Sequence, residues 1–196
     1  MRRPFLLIPL LAALSPLNIS AHEHEHEHEH SLAAHVHGIA TLDIALEGQV
    51  LELQLHSPAM NIVGFEYQPR SAADKKKVRA TERLLTNEQT LMSLTPAAGC
   101  ALTSVTLDND LTEQQHSDHD HDHDHDQKHD AAEQQAHNDI AVHYVFHCAT
   151  PQQLKHIDLA NFFSAFPATE KINVQLITEQ AQQGAVLTPS STALNW

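Results

Sequence analysis

Apolar and polar residues alternate along two neighbouring runs near the start of the chain. The apolar positions are Leu42, Ile44, Leu46, Leu51, Leu53 and Leu55. A period of two is typical of strands that bury one face, and the glycine between the runs predicts a β-hairpin. Pairing Leu46 with Gln49 sets the expected register. His56 then lies opposite Ile39 and diagonal to His37 on the polar face.

The next segment predicts a loop followed by the longest helix. Residues 57–71, SPAMNIVGFEYQPRS, combine two prolines and a glycine with apolar positions, which indicates an ordered loop and not a helix. Residues 72–92 place apolar side chains on one face at spacings near 3.6. These are Val78, Leu84, Leu85, Leu91 and Met92. Ser71 and Asp74 are candidate N-caps, and the lysines at 75–77 are expected to form a solvated face.

A second hairpin is predicted around a long insertion. Residues 100–107 and 140–148 are rich in Val, Thr, Tyr and Phe, as strands are. Between them lies a His/Asp-rich insertion, residues 111–138, which we interpret as an overgrown hairpin loop.

The end of the chain predicts a short helix and two more strands. The helix is expected to bury Phe162, Phe163 and Phe166. Ile172, Val174 and Leu176 indicate a strand, with 185–187 as its partner. The tail after Pro189, residues 190–196, is rich in Ser and Thr and is expected to be loose.

Together these elements predict an α+β fold. We expect a single domain over residues 32–189, with a mostly antiparallel sheet, one long helix and one short helix. Two His-rich segments, one before this domain and one inserted into it, are expected to be disordered because they have little apolar area to bury.

The N-terminus has the parts of a secretory signal peptide. Arg2 and Arg3 follow the initial methionine, residues 5–14 are apolar, and small residues precede a charged stretch. The apolar run is too short to cross a bilayer. We therefore expect residues 1–21 to be a signal peptide cleaved after Ala21, so that the mature chain begins at His22. The alternative is an uncleaved anchor.

The two His-rich segments predict metal binding. Residues 22–31 begin HEHEHEHEH, and HSDHDHDHDHDQKH spans 116–129. Neutral imidazole suits zinc, copper and nickel, and carboxylates add oxygen ligands. Because a soft chain must be ordered to bind an ion, we expect several weak sites in fast exchange. The candidate ligands are His22, His24, His26, His28, His30, His116, His119, His121, His123, His125 and His129.

A tighter site requires rigid ligands, and the first hairpin offers them. His35, His37 and His56 fall on its polar face in the expected register. Asp43, Glu52 or Glu66 could complete the set. The alternative is that these are ordinary surface histidines on a polar strand.

Cys100 and Cys148 are the two cysteines of the chain. In an exported protein, an even pair predicts a disulfide. Such a bond would join the strands that flank the insertion, and closing so long a loop contributes about 4 kcal/mol in the chain-entropy treatment. Two thiolate metal ligands are the alternative.

The charge balance favours cations as ligands. Without residues 1–21, nine Lys and Arg remain against 25 Asp and Glu, a net formal charge of −16. This excludes nucleic acid and anionic membrane surfaces as expected partners. We expect no enzymatic activity. The match of His22, Glu23 and His26 to the metalloprotease pattern arises from the alternation alone, and that motif functions only on a helix.

Several motifs resemble those of a known family. In order, they are the His-Glu tract, HVHG, SPAMNIVGFEY, a cysteine, the His-Asp insertion, HYVFHC and FFSAFP. This combination resembles the zinc-regulated periplasmic zinc-binding proteins of Gram-negative bacteria, the ZrgA-type family. The resemblance covers nearly the whole mature chain, and SPAMNIVGFEY and FFSAFP are specific because they are not low-complexity.

The resemblance implies a periplasmic accessory protein that captures Zn²⁺ when zinc is scarce. It implies binding of several zinc ions and support for uptake by a zinc ABC importer, whose substrate-binding protein is a possible partner. Neither membrane insertion nor catalysis is implied, and the oligomeric state stays open. Alternatives are periplasmic zinc storage, sequestration of copper or nickel, whose imidazole complexes are also stable, and an enzyme or structural module of the periplasm whose tracts are incidental.

Overall fold

Strands dominate the computed structural model, which describes residues 35–113 and 138–196. The strands are β1 (Ile39–Glu47), β2 (Val50–Pro58), β3 (Ser93–Leu94), β4 (Cys100–Asn109), β5 (Asp139–Cys148), β6 (His156–Asp158), β7 (Lys171–Thr178), β8 (Gln182–Leu187) and β9 (Ala193–Asn195). The helices are α1 (Ala59–Val63), α2 (Ala72–Leu85), α3 (Asp110–Glu113) and α4 (Ala160–Ala165). All described residues belong to one compact unit, Leu32–Trp196.

A six-stranded sheet organises the fold, in the order β4-β5-β2-β1-β7-β8. Strands β1 and β7 run parallel, and the other four neighbouring pairs run antiparallel. A smaller antiparallel sheet has the order β3-β6-β9. The predicted sheet-rich, mixed α and β architecture is therefore confirmed.

The first hairpin forms where it was predicted, but its register differs by two residues. Leu46 pairs with Leu51, and His56 lies opposite Thr41 rather than Ile39. Gly48 has a φ of +55° at the first central position of the turn, as a type II′ turn requires, and this turn leaves only two residues unpaired. A shift of two residues keeps every side chain on its predicted face, because the strand period is two.

One face of the large sheet is buried and the other is exposed. The leucines and isoleucines of β1 and β2 that were expected to face inwards join a single hydrophobic core, with Leu46 at its margin. Helix α2 covers this face, and the Tyr144 hydroxyl donates a 2.7 Å hydrogen bond to the Leu85 carbonyl. Burial raises the pKa of the Tyr144 hydroxyl well above its usual range, and the Glu88 carboxylate adds to the shift.

The helical segments differ from prediction in three places, one of which is the short helix α3 where the loop insertion was expected to begin. Residues 59–63, expected to be loop, form the one-turn helix α1 after Pro58. Helix α2 is capped as predicted, since Ser71 Oγ accepts a hydrogen bond from the Asp74 N–H, but it ends at Leu85 and not at Met92. Leu91 and Met92 are buried as predicted, but they follow a short 3-10 turn and lie outside the helix. The apolar pattern therefore continued past the end of the helix and could not mark it.

The second hairpin and its disulfide are confirmed. Strands β4 and β5 pair directly, with Cys100 opposite Cys148, and the two cysteines are bonded across 48 residues of sequence. The insertion is shorter than predicted, because Leu111 and Asn138 at its ends are buried parts of the domain.

The C-terminal elements form as predicted up to β8, but the prediction of a loose tail is wrong. Helix α4 buries two of the three phenylalanines, and Phe166 is buried just after it. The tail then turns back through the Thr188–Ser191 bridge and forms β9 against β6. Leu194 is only 3% exposed. One buried leucine therefore anchors a segment whose composition indicated no fixed structure.

Some predictions lie outside the described residues. They concern the signal peptide, the tract at 22–31 and the insertion histidines between 116 and 129. Among the described residues, no helix is long and apolar enough to cross a membrane.

Candidate metal centre

His35 and His37 lie in a turn that leads into β1. The Ile39 N–H donates to the Val36 carbonyl at 3.1 Å and closes this turn. Gly38 has a φ of +84°, a conformation that glycine adopts without strain. A Cβ at Gly38 would also approach the Glu170 side chain to 3.1 Å. The backbone therefore favours glycine at this position of the HVHG motif, and a larger residue would also require the Glu170 side chain to shift slightly.

The buried Asn61 side chain locks this turn onto the motif SPAMNIVGFEY. Its Oδ1 accepts a 2.7 Å hydrogen bond from the Gly38 N–H. Its Nδ2 donates to the Ile39 carbonyl and to Ser57 Oγ, at 3.2 and 3.1 Å. The two motifs that lie far apart in sequence thus form one structural unit, because one amide side chain satisfies polar groups of both.

Glu66 is brought to the same place by the end of α1. Gly64 ends the helix with a φ of +80°, and its N–H donates to the Met60 carbonyl. The chain then turns so that Phe65 is buried and stacks on Tyr67, with ring centroids 4.6 Å apart. The Asn138 side-chain amide donates to the Glu66 carbonyl. These contacts fix the backbone on both sides of the Glu66 carboxylate.

Glu66 Oε1 lies between two imidazole rings. It is 2.9 Å from His35 Nε2 and 2.9 Å from His37 Nε2. The side chains of His35 and Glu66 are only 10% and 11% exposed, whereas His37 is 49% exposed. The cluster is therefore rigid on its inner side and open to solvent at His37.

Asp139, the first residue of β5, contacts the His35 ring on the side that faces away from Glu66. Its Oδ1 lies 2.6 Å from His35 Nδ1, short enough for a charge-assisted contact. That oxygen is buried and has no aligned hydrogen-bond donor among the described residues. The Asp139 N–H donates to Asp110 Oδ2 at 2.9 Å, which holds the backbone. A carboxylate on the second ring nitrogen is the usual partner of a metal-binding imidazole, because it fixes the ring and its tautomer.

His56 lies beside this group but outside it. Its Nε2 is 3.6 Å from Asp139 Oδ2, and its side chain is 50% exposed. The true register explains the position, since His56 is opposite Thr41 and therefore lies further along the sheet than the turn that carries His35.

The donor set suits zinc. Single ligand atoms of His35, His37 and Glu66 all lie within 4.8 Å of one another. Zinc binds imidazole nitrogen at about 2.0–2.1 Å and carboxylate oxygen at about 2.0–2.2 Å. Tetrahedral ligands at those lengths lie about 3.3 Å apart, so the two 2.9 Å contacts need to open only slightly. Three protein ligands leave the fourth position for water or for a ligand from elsewhere.

A comparison with protein families gives the same chemistry. The family model described as "ZrgA family zinc uptake protein" matches residues 34–196. The chain belongs to the ZrgA family. A search of curated proteins finds no match. The matched range covers every residue of the His35, His37 and Glu66 cluster, and the role in zinc uptake agrees with its donor set.

The ZrgA-family domain brings together only part of the predicted site. The cluster contains His35, His37 and Glu66. His56 contacts Asp139, which in turn contacts His35, so it lies just outside the cluster. Asp43 and Glu52 lie elsewhere on the sheet. Asp139 and Asn61 were not predicted. Asp139 directly follows the His/Asp-rich insertion, so nothing in its local sequence distinguishes it from that insertion, whereas Asn61 lies inside a specific motif.

Proposed function

We propose that this protein captures Zn²⁺ in the periplasm when zinc is scarce and supports its uptake by a zinc ABC importer. The observation that carries the proposal is the convergence of His35, His37 and Glu66 in a chain of the zinc uptake family.

The architecture of the centre suits reversible capture. Two of its ligands are nearly buried, which keeps them ordered before the ion arrives and reduces the entropy lost on binding. The third, His37, is half exposed, so an incoming or outgoing ion can exchange ligands there. A centre with three protein ligands also leaves a position at which a receiving protein can attach before the ion leaves.

The His-rich segments would collect ions for this centre. The described ends of the insertion lie at the same end of the sheet as the centre, since Asp110 and Asn138 contact Asp139 and Glu66. We propose that His22, His24, His26, His28 and His30 and the insertion histidines bind several Zn²⁺ ions weakly and release them to the centre. The partner would be the substrate-binding protein of the importer.

Export is supported by two independent features. Residues 1–21 have the pattern of a signal peptide, and the chain holds the Cys100–Cys148 disulfide, a bond that persists in oxidising compartments such as the periplasm.

The function is tested by complementation of a strain that lacks the gene. Wild-type protein should restore growth under zinc chelation, and the His35→Ala/His37→Ala variant should not, although it is exported in equal amounts. His147→Ala, which alters an exposed histidine near the far end of β5, is the matched control. Added zinc should erase the difference. If the strain that lacks the gene grows normally under zinc chelation but poorly under copper or nickel stress, the zinc proposal is overturned in favour of sequestration.

A further inference from the structure

Strands β2 and β5 carry a line of carboxylate and imidazole side chains on their exposed face. The register places Glu52 two residues from the position opposite His143. It places His56 two residues from the position opposite Asp139 in the same sense. Both pairs are therefore diagonal neighbours, close enough for long side chains to meet.

The diagonal pairs are in contact. His143 Nε2 lies 3.0 Å from Glu52 Oε2, and their side chains are 40% and 51% exposed. His56 Nε2 lies 3.6 Å from Asp139 Oδ2. The line continues from Asp139 to His35 at 2.6 Å, so it ends at the metal centre.

Four neighbouring strands of the large sheet carry negative charge, whereas β7 beside them carries Lys171 opposite Ile39. The strands β1, β2, β4 and β5, all fully described, contain no lysine or arginine. Their acidic residues are Asp43, Glu47, Glu52, Asp108 and Asp139. A surface of one sign raises the local concentration of the opposite ion and steers it inwards.

The pair formed by His143 and Glu52 also borders open space that an ion and its waters can occupy. A shallow depression of about 320 Å³ on this face is lined by Glu52 and His143 together with Asp43, Gln54, Gln175 and the apolar residues Ile44, Ala45 and Ile177. Two protein ligands and several waters are sufficient for weak, fast-exchanging binding of Zn²⁺, in contrast to the three converging ligands at the centre.

We propose that His143 and Glu52 form an accessory Zn²⁺ site, from which the ion passes along His56 and Asp139 to the metal centre. The inference rests on the proposed function, because it assumes that the centre itself binds zinc. Each step exchanges one imidazole, carboxylate or water ligand for another and needs no further reactant.

The pair makes a clean target for substitution. An exposed ion pair contributes only about 0–1 kcal/mol to stability, so His143→Ala and Glu52→Gln should fold normally. His147→Ala is the matched control, because His147 is exposed on the same strand and the same face.

The test is NMR of the full mature chain, labelled with ¹⁵N and titrated with zinc chloride. The imidazole resonances of His35 and His37 should shift first, and those of His143 should shift with weaker affinity and fast exchange. Glu52→Gln should weaken zinc binding at His143 by about tenfold or more, because the site loses the charged one of its two protein ligands and even loss of a carboxylate outside the ligand set costs about this much. Stopped-flow zinc loading of the centre should slow in His143→Ala but not in His147→Ala, at unchanged final affinity.

The outcomes separate the two proposals. If His35 and His37 shift while His143 does not, the accessory site is wrong and the centre stands. If His143 shifts but His143→Ala loads as fast as the control, the transfer step is wrong. If neither group shifts, the proposed function itself fails.

Discussion

His35 and Asp139 are in contact through the ring nitrogen that does not face Glu66, with 2.6 Å between Nδ1 and Oδ1. This contact links the turn before β1 to the first residue of β5, which is Asp139. Because a carboxylate in this position orients an imidazole ligand, we predict that Asp139→Asn lowers zinc affinity by about tenfold to a hundredfold. Chelator competition measures this. Asp108→Asn, on the exposed face of β4, should bind as wild type, and an equal loss in both variants would contradict the role.

Glu66→Gln should remove the charged ligand while keeping the shape of the side chain. Zinc stabilises the wild-type protein by mass action, by about 2.7 kcal/mol at a free concentration of one hundred times Kd. We therefore expect zinc to raise the wild-type melting temperature and to raise that of Glu66→Gln much less. Differential scanning fluorimetry with and without zinc measures the difference. The control is Glu47→Gln, which alters an exposed carboxylate at the far end of β1.

Asn61→Ala should disturb both stability and binding. The substitution leaves the Gly38 N–H and the Ile39 carbonyl without their side-chain partner in a buried position. Loss of such bonds costs about 1–3 kcal/mol for each buried group left unsatisfied. We expect urea unfolding to show a decrease of this size and zinc affinity to fall, since the turn that holds His35 loosens. Wild-type affinity in a destabilised variant would show that the turn is held by other contacts.

Removal of the disulfide should affect stability alone. Cys100 and Cys148 join β4 and β5 at the end of the sheet opposite Asp139. The Cys100→Ala/Cys148→Ala variant should lose about 4 kcal/mol of stability in the chain-entropy treatment, as measured by denaturant unfolding. Its zinc affinity should match that of wild type under conditions where both are folded. Weaker zinc binding by the folded variant would show that the two ends of the hairpin are coupled.

The stability contributed by Asp158 should depend on pH. Hydrogen bonds from the Thr192 hydroxyl and the Ala160 N–H hold the pKa of the Asp158 carboxyl below its usual range. A lowered folded-state pKa stabilises the fold above the unfolded-state pKa, and this contribution disappears as the pH falls through the folded-state value. Asp158→Asn should therefore be less stable at pH 7, by less than about 1 kcal/mol because the group is exposed.

The difference between Asp158→Asn and wild type should shrink below about pH 4, the usual pKa of a free aspartate. Thermal unfolding at several pH values measures it. A difference that stays constant down to pH 2 would show that the charge of Asp158 is not its source.

Periodicity predicted most of the large sheet, because strands that bury one face carry an alternating pattern that sequence displays directly. It could not set the register of the first hairpin, since a shift of two residues leaves the alternation unchanged. The turn geometry at Gly48 decides between the two registers. The helix end at Leu85 was missed because buried residues outside a helix look the same in sequence as those within it. The strand at Ala193–Asn195 was missed because the Ser/Thr-rich composition of the tail indicated a loose segment.

The metal centre was predicted in part. His35 and His37 are separated by one residue in the HVHG motif and Glu66 belongs to a second specific motif, so residue type and position both indicated them. Asp139 was hidden because its function depends on β5 beginning beside the turn at His35, a relationship that only the sheet order provides. His56 was misplaced relative to the centre through the register alone.

The Cys100–Cys148 bond has a consequence for the integrity of the molecule, because its closed loop contains the whole His/Asp-rich insertion. A protease that cuts between Glu113 and Asn138 would leave two fragments still joined covalently and still paired along β4 and β5. His35 and Glu66 would remain on one fragment and Asp139 on the other, held in place by the same contacts. A nicked chain should therefore migrate as one species until it is reduced.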